Sequence, residues 1–202
     1  MKRITLAIIS VILAVCMSAC GDMITLTKNS DGTLTDKKNG TTYLYAPLCY
    51  QPSLTGIEPY AADEDTEYFA IGELDSALWL TDSFGTVYCA QGKVSLPEDF
   101  ADFEADKLYI CIEETITTQL ASVEDADKVA EIIDACRNGE KVTHSSGDKR
   151  YHLKFSSSKY PNIYLALDYY VSASGANYVY DRYGSGEARS LGGLLFDYLP
   201  LS

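Results

Sequence analysis

The sequence predicts an α+β domain, mainly an antiparallel β-sheet with one well-defined amphipathic helix packed on it and a short helix at the C-terminal end. Three observations carry this reading. Short runs of alternating apolar and polar residues recur between residues 24 and 183, divided by turns rich in Gly, Asn, Asp and Pro. A single segment, 122–138, repeats its apolar residues at spacings of three and four. The chain has 202 residues, 47% apolar and 22% charged, which supplies one ordinary hydrophobic core and argues against disorder. Its 16 basic side chains face 29 acidic ones, a net charge of −13 that repels a phosphate backbone and excludes nucleic acid as a partner.

The first element is an address. Lys2 and Arg3 form a short basic region, residues 4–17 are almost unbroken apolar, and Met17, Ser18 and Ala19 lead into Cys20. The apolar stretch is shorter than the roughly 20 residues of a spanning helix, so a cleaved secretion signal is expected rather than a permanent anchor helix. Residues 17–20 resemble the lipobox of bacterial lipoproteins. Ser18 and Ala19 fit that motif, Met17 stands where leucine is commoner, and Val15 is too bulky for Cys16 to be the modified residue. The resemblance implies that residues 1–19 are removed and that Cys20 becomes the first residue, carrying diacylglycerol with fatty chains such as palmitate. Each buried acyl CH₂ contributes about 0.8 kcal/mol, so several chains hold a protein at the bilayer without a spanning segment. The partner implied is the cell membrane, with the body on its extracytoplasmic face. Loss of Lys2 and Arg3 leaves 14 basic against 29 acidic side chains, a net of −15.

Residues 20–202 read as a single extracytoplasmic domain with a β-rich part over about 22–97 and an α+β part over about 98–202. Ile24 and Leu26 alternate with threonines, Asp31-Gly32 and Asn39-Gly40 mark turns, and residues 33–35 and 41–45 are extended, which predicts a hairpin with an extra strand. Residues 47–65 form a loop rich in proline and acid, read as solvated. Strands at 67–71, 77–80 and 86–90, the last two joined by the 82–85 turn, predict a meander. Pro97 breaks the pattern and 98–105 is a link. Leu108, Ile110 and Ile112 then give a strand with one face on the core.

The helix is placed at 122–138, with Ser122 as N-cap and Asp125 three residues on. Ala126, Val129, Ala130, Ile133 and Cys136 form its apolar stripe, and Gly139 is a left-handed stop. Strands follow at 150–156, 162–172 and 178–183, and their short connections imply antiparallel pairing. Residues 187–199 carry helix-like spacing weakened by Gly192 and Gly193. The block 103–139, together with Tyr160-Pro161 before an aromatic strand, resembles uncharacterised lipoproteins of Gram-positive gut bacteria over residues 30–199. That likeness implies one contiguous lipid-anchored α+β unit and no particular activity.

Few residues carry recognisable chemistry. Cys49, Cys89, Cys111 and Cys136 lack the spacing of a zinc site and read as buried apolar thiols, with three complete disulfide pairings also open to them. His144 in a loop and His152 in a strand have no neighbouring cysteine, so no metal site and no cofactor are expected. Ser156 and Lys159 match the SxxK spacing but lie between two strands, without the partner motifs of serine–lysine enzymes. Residues 29–36 lack the length and closing Glu of a calcium loop. Glu113 and Glu114 are consecutive in a strand and point to opposite faces, which rules out a shared glycosidic bond.

The unusual feature is tyrosine, 16 in all, nine of them after residue 150. Period-two alternation puts Tyr164, Asp168 and Tyr170 on one face of a strand, opposite Ile163, Leu165, Leu167 and Tyr169, and gives the next strand a face of Tyr178, Tyr180 and Arg182. Together Tyr164, Tyr170, Tyr178, Tyr180 and Arg182 are the candidate binding residues, an aromatic face suited to a peptide, a protein or a glycan. The same tyrosines also suit plain sheet architecture, since cross-strand aromatic pairs stabilise a half-exposed sheet. The expected function is a lipid-anchored, non-enzymatic binding or interaction module with no catalytic residue. The alternative is a cell-envelope glycan hydrolase whose acidic site folding would assemble from Asp63, Glu64, Glu113 or Asp168.

Overall fold

A computed structural model of the chain describes residues 23–49, 58–97, 100–113, 117–145, 149–180 and 186–199, with the side chains of Cys49, Phe100, Ala101 and Glu113 outside that description. Cys20 and Arg182 therefore lie outside the described residues, as does the cysteine pairing that would involve the Cys49 thiol. The fold is α+β and mostly strand.

The expected meander over residues 67–90 is present, with Tyr68 paired to Asp82 and Trp79 to Cys89, but the first half as a whole closes into a seven-stranded barrel rather than the antiparallel sheet expected. Its strands are β1 (Ile24–Lys28), β2 (Leu34–Asp36), β3 (Thr41–Cys49), β4 (Ala61–Ala62), β5 (Glu67–Phe69), β6 (Trp79–Asp82) and β7 (Thr86–Ala90). Closure has two causes. The nine-residue β3 pairs with β2 through its first three residues and with β7 from Tyr43 onward, so the last strand returns to an early one. The two residues of β4, inside the stretch read as loop, pair in parallel with Ile24 and Thr25 and join the other edge. Alternation then fills the interior. Leu26, Leu34, Tyr43, Ala61, Tyr68, Leu80, Tyr88 and Ala90 form one buried cluster inside it, since a barrel this small is packed with side chains. Two carboxylates are buried with them and are satisfied by turn N–H groups. Asp36 accepts from the backbone of Lys38 and Asn39, and Asp82 from that of Phe84 and Thr86.

The second half opens with a short helix, α1 (Phe100–Phe103), and builds an antiparallel sheet. It contains β8 (Lys107–Glu113), β9 (Thr117–Val123), β10 (Lys141–Val142), β11 (Lys149–Ser156), β12 (Tyr164–Val171), β13 (Asn177–Tyr180) and β14 (Ala188–Ser190), in the order β9-β8-β11-β12-β13-β14-β10. It joins the barrel where Tyr164 pairs with Cys49. One face of this sheet carries Leu108, Ile110, Tyr151, Leu153, Phe155, Leu167 and Tyr169. Helix α2 (Ala126–Asn138) covers part of that face with Val129, Ile132 and Cys136, and the barrel wall covers the rest with Ala46, Leu48, Trp79, Val87 and Cys89. A single core therefore joins the two halves. Among the described residues no helix is long and apolar enough to cross a membrane.

Several expectations need correction. The helix begins at Ala126, not at residue 122, because β9 keeps pairing with β8 through Val123. Asp125, not Ser122, is the N-cap, accepting from the backbone N–H groups of Asp127 and Lys128. Its buried stripe is Val129, Ile132 and Cys136, while Ala126 and Ala130 are exposed. Gly139 is not a left-handed stop, since its φ is −58°. It is glycine because a Cβ there would meet Ser190 O at 2.4 Å and Ala135 O at 2.5 Å, where the helix end passes β14. In place of the C-terminal helix the chain forms β14, a turn with Gly192 at φ +62°, and one 3₁₀ turn at Phe196–Tyr198. Cys89 and Cys136 are free buried thiols, and burial pushes both pKa values up. Lys159 Nζ reaches Glu104 at 2.7 Å and the Asp102 carbonyl rather than a serine.

Candidate functional site

The expected aromatic face is the outer side of the second sheet, opposite the core. Register places Tyr170 beside Tyr178 and Asp168 beside Tyr180, and across β11 it sets Arg150 beside Tyr170 and His152 beside Asp168. Tyr164, Asp168, Tyr170, Tyr178 and Tyr180 therefore share a face, as period-two alternation requires.

They do not form one open platform. The rings of Tyr170 and Tyr178 stack with centroids 5.4 Å apart and planes 14° apart, and these residues are only 4% and 3% exposed. What covers them is residues 143–145. Strand β10 pairs with β14 at the sheet edge, and the chain then crosses the face, laying His144 over the tyrosines. The imidazole stacks on Tyr180 at 4.5 Å with planes 5° apart and meets Tyr170 at 4.6 Å nearly edge-on. Tyr178 Oη fastens the segment, accepting from the Ser145 N–H at 2.9 Å, donating to the Ser145 carbonyl at 3.3 Å and lying 3.3 Å from His144 Nδ1. Beneath, Tyr170 donates to Asp168 Oδ2 at 3.4 Å, and Asp168 Oδ1 lies 3.2 Å from His152 Nδ1.

Tyr164 stands apart. It begins β12, six residues from Tyr170, about 20 Å along an extended chain. Its ring meets Tyr109 edge-to-face at 6.1 Å, and Lys107 Nζ lies 6.0 Å from the Tyr109 ring. The structure thus brings Tyr170, Tyr178 and Tyr180 together with His144, and leaves Tyr164 half-buried in a separate pair.

Next to the covered tyrosines a cavity of about 430 Å³ opens at the end of β12 and β13 farthest from the barrel junction. It is bounded by residues 142–145, the turn between β12 and β13, Tyr178, and the segment from Ser190 to Phe196. Sequence reasoning missed it. Its Ser- and Gly-rich pieces read as turns, and only the β10–β14 and β13–β14 pairings bring residues 143–145, 172–177 and 190–196 together.

Of the carboxylates expected for a hydrolase, Asp63 and Asp168 lie in different halves of the molecule, and the Glu113 side chain lies outside the described residues. Asp63 holds a turn, accepting from the backbone N–H groups of Asp65 and Thr66 and from Tyr68 Oη at 2.8 Å. Burial pushes its pKa up, but those three hydrogen bonds and Lys28 outweigh it and hold the group below the usual carboxylate range. Asp168 lies on the second sheet beside His152, and among the described residues no acidic side chain lines the cavity. Among the described residues no cluster of His, Cys, Asp and Glu has a metal-holding arrangement. Compared with known protein families, curated proteins and solved structures, the chain matches none.

Proposed function

We propose that the protein is a lipid-anchored, extracytoplasmic, non-enzymatic binding module. The observation that carries the anchor is Ser18-Ala19-Cys20 at the end of a basic-then-apolar stretch, only four residues ahead of Ile24, where the first strand begins. Four extended residues reach about 14 Å, so a lipid on Cys20 holds the barrel close against the bilayer. The net charge of −15 after cleavage repels an anionic leaflet and keeps the body facing outward.

The binding reading is supported by the His144 end of the aromatic face and the cavity beside it. His144 and Tyr180 present a stacked pair, neither of them fully buried, above a buried tyrosine floor. Residues held in place by packing underneath make a preorganised contact surface. The test is fractionation of cells expressing the wild type and Cys20→Ser. The wild type is expected in the membrane fraction, extractable by detergent and accessible to protease added outside the cell. The variant is expected to lose that membrane association. A Cys20→Ser protein that stays with the membrane, or a wild type protected from external protease, overturns the reading.

A further inference from the structure

We infer that the cavity at the end of β12 and β13 takes a neutral, polyhydroxylated ligand, the chemistry of a sugar unit in a glycan. This deepens the reading of the chain as a binding module and rests on it. At about 430 Å³ the space suits a small ligand or one to two units of a longer chain. Its walls offer the hydroxyls of Thr143, Ser145, Ser172, Ser174 and Ser190 and the amide of Asn177, and among the described residues no Asp, Glu, Lys or Arg lines it. In a chain of net charge −13, a wall of neutral donors and acceptors selects against both cations and anions. At the rim Phe196 is 41% exposed, an apolar ring on which the C–H face of a sugar can lie.

Two features give these walls unused bonding capacity. Asn177 is 6% exposed, its Oδ1 has no hydrogen-bond partner among the described residues, and its Nδ2 makes only a long bond, 3.4 Å, to the Gly192 carbonyl. A buried amide in that state is costly, and because Asn177 lines the cavity, a small shift of its side chain would let a ligand hydroxyl satisfy it. Ser172 and Ser174 hydrogen-bond each other at 2.8 Å, so one of the two hydroxyls keeps its proton available for a ligand oxygen. A sugar alternates hydroxyl donors and acceptors around an apolar ring, which matches a polar wall beside an aromatic rim.

The experiment titrates the mature, lipid-bearing protein, held in a detergent without a sugar head group, with maltotetraose, cellotetraose and tetra-N-acetylchitotetraose. Saturation-transfer NMR and calorimetry read the binding. At least one of these neutral sugars is expected to bind saturably, with an affinity insensitive to added salt. Phe196→Ala and Ser174→Tyr, both at exposed positions, should each weaken it at least about tenfold while leaving the melting temperature unchanged. Failure of all three sugars to bind the folded protein overturns the inference, as does binding that survives both substitutions. Fractionation is read separately. A protein that binds sugar but is not membrane-held sinks the anchor and keeps the cavity, and the reverse result sinks the cavity alone.

Discussion

The barrel and the second sheet both bury tyrosines, but by different means. Inside the barrel, Tyr43, Tyr68 and Tyr88 are hidden because the strands close on themselves, and two hydroxyls are fixed to the frame, Tyr68 to Asp63 and Tyr43 to the Ala77 carbonyl. On the sheet, Tyr170 and Tyr178 are hidden by one short segment held through Tyr178 Oη. Closure can be undone only by unfolding, whereas a covering segment can lift while the sheet stays intact. The same residue type is thus architecture in one half and the floor of a candidate site in the other.

The largest test of this contrast concerns the core that joins the halves. Phe155 is fully buried on the sheet's inner face, in the cluster that includes Trp79 of the barrel wall. Phe155→Ala should cost about 3–5 kcal/mol and lower the unfolding midpoint of both halves together, followed by fluorescence of the single tryptophan and by far-UV circular dichroism. Two separated transitions would show that the barrel and the sheet do not share a core.

A smaller effect is expected from alkali. Burial first, then the neighbouring Tyr60, Asp36 and Asp75, pushes the Tyr43 pKa from 10.0 up to about 12, and burial also raises Tyr68 and Tyr88. A raised pKa favours the neutral folded form. Its stabilisation is full below pH 10 and is lost as pH climbs through about 12, on the order of 2 kcal/mol for Tyr43. Denaturant titrations across that window should show stability falling, with the barrel tyrosinates appearing only on unfolding. Tyrosinate absorbance developing fully near pH 10 in the folded protein would contradict a closed barrel.

The smallest effect separates partnered from unpartnered hydroxyls. Tyr68→Phe removes the bond to Asp63 and should cost about 1–2 kcal/mol in a denaturant titration. Tyr169 is also fully buried, yet its hydroxyl has no partner among the described residues, so Tyr169→Phe should be neutral or slightly stabilising. Equal losses would mean that the Asp63 bond contributes nothing specific.

Where pattern and pairing were local, the sequence was readable. Alternation identified β8, β11, β12 and the start of β13 and assigned the faces of β12 correctly. Apolar spacing locates α2 but not its start, because Thr117–Val123, with a bulge between Ile110 and Cys111 of its partner, shows no clean alternation to mark it as a strand. Barrel closure depends on Tyr43 meeting Ala90 and on a two-residue β4, contacts that no window of neighbouring residues reports. The Gly139 contact with Ser190 is equally non-local. For the site, parity put the tyrosines on one face but said nothing of what lies over it. His144 carries no local sequence signal for this role, because its place over Tyr180 follows from the pairing of β10 with β14.

The proposed lipid anchor on Cys20 is open to intact-mass spectrometry of the protein extracted from the membrane fraction. A lipid-anchored protein should begin at Cys20 and be heavier than its residues by a diacylglyceryl group, with or without a further amide-linked acyl chain. A mass corresponding to an unmodified chain starting at Met1, or to a cleaved chain with no acyl addition, would contradict it.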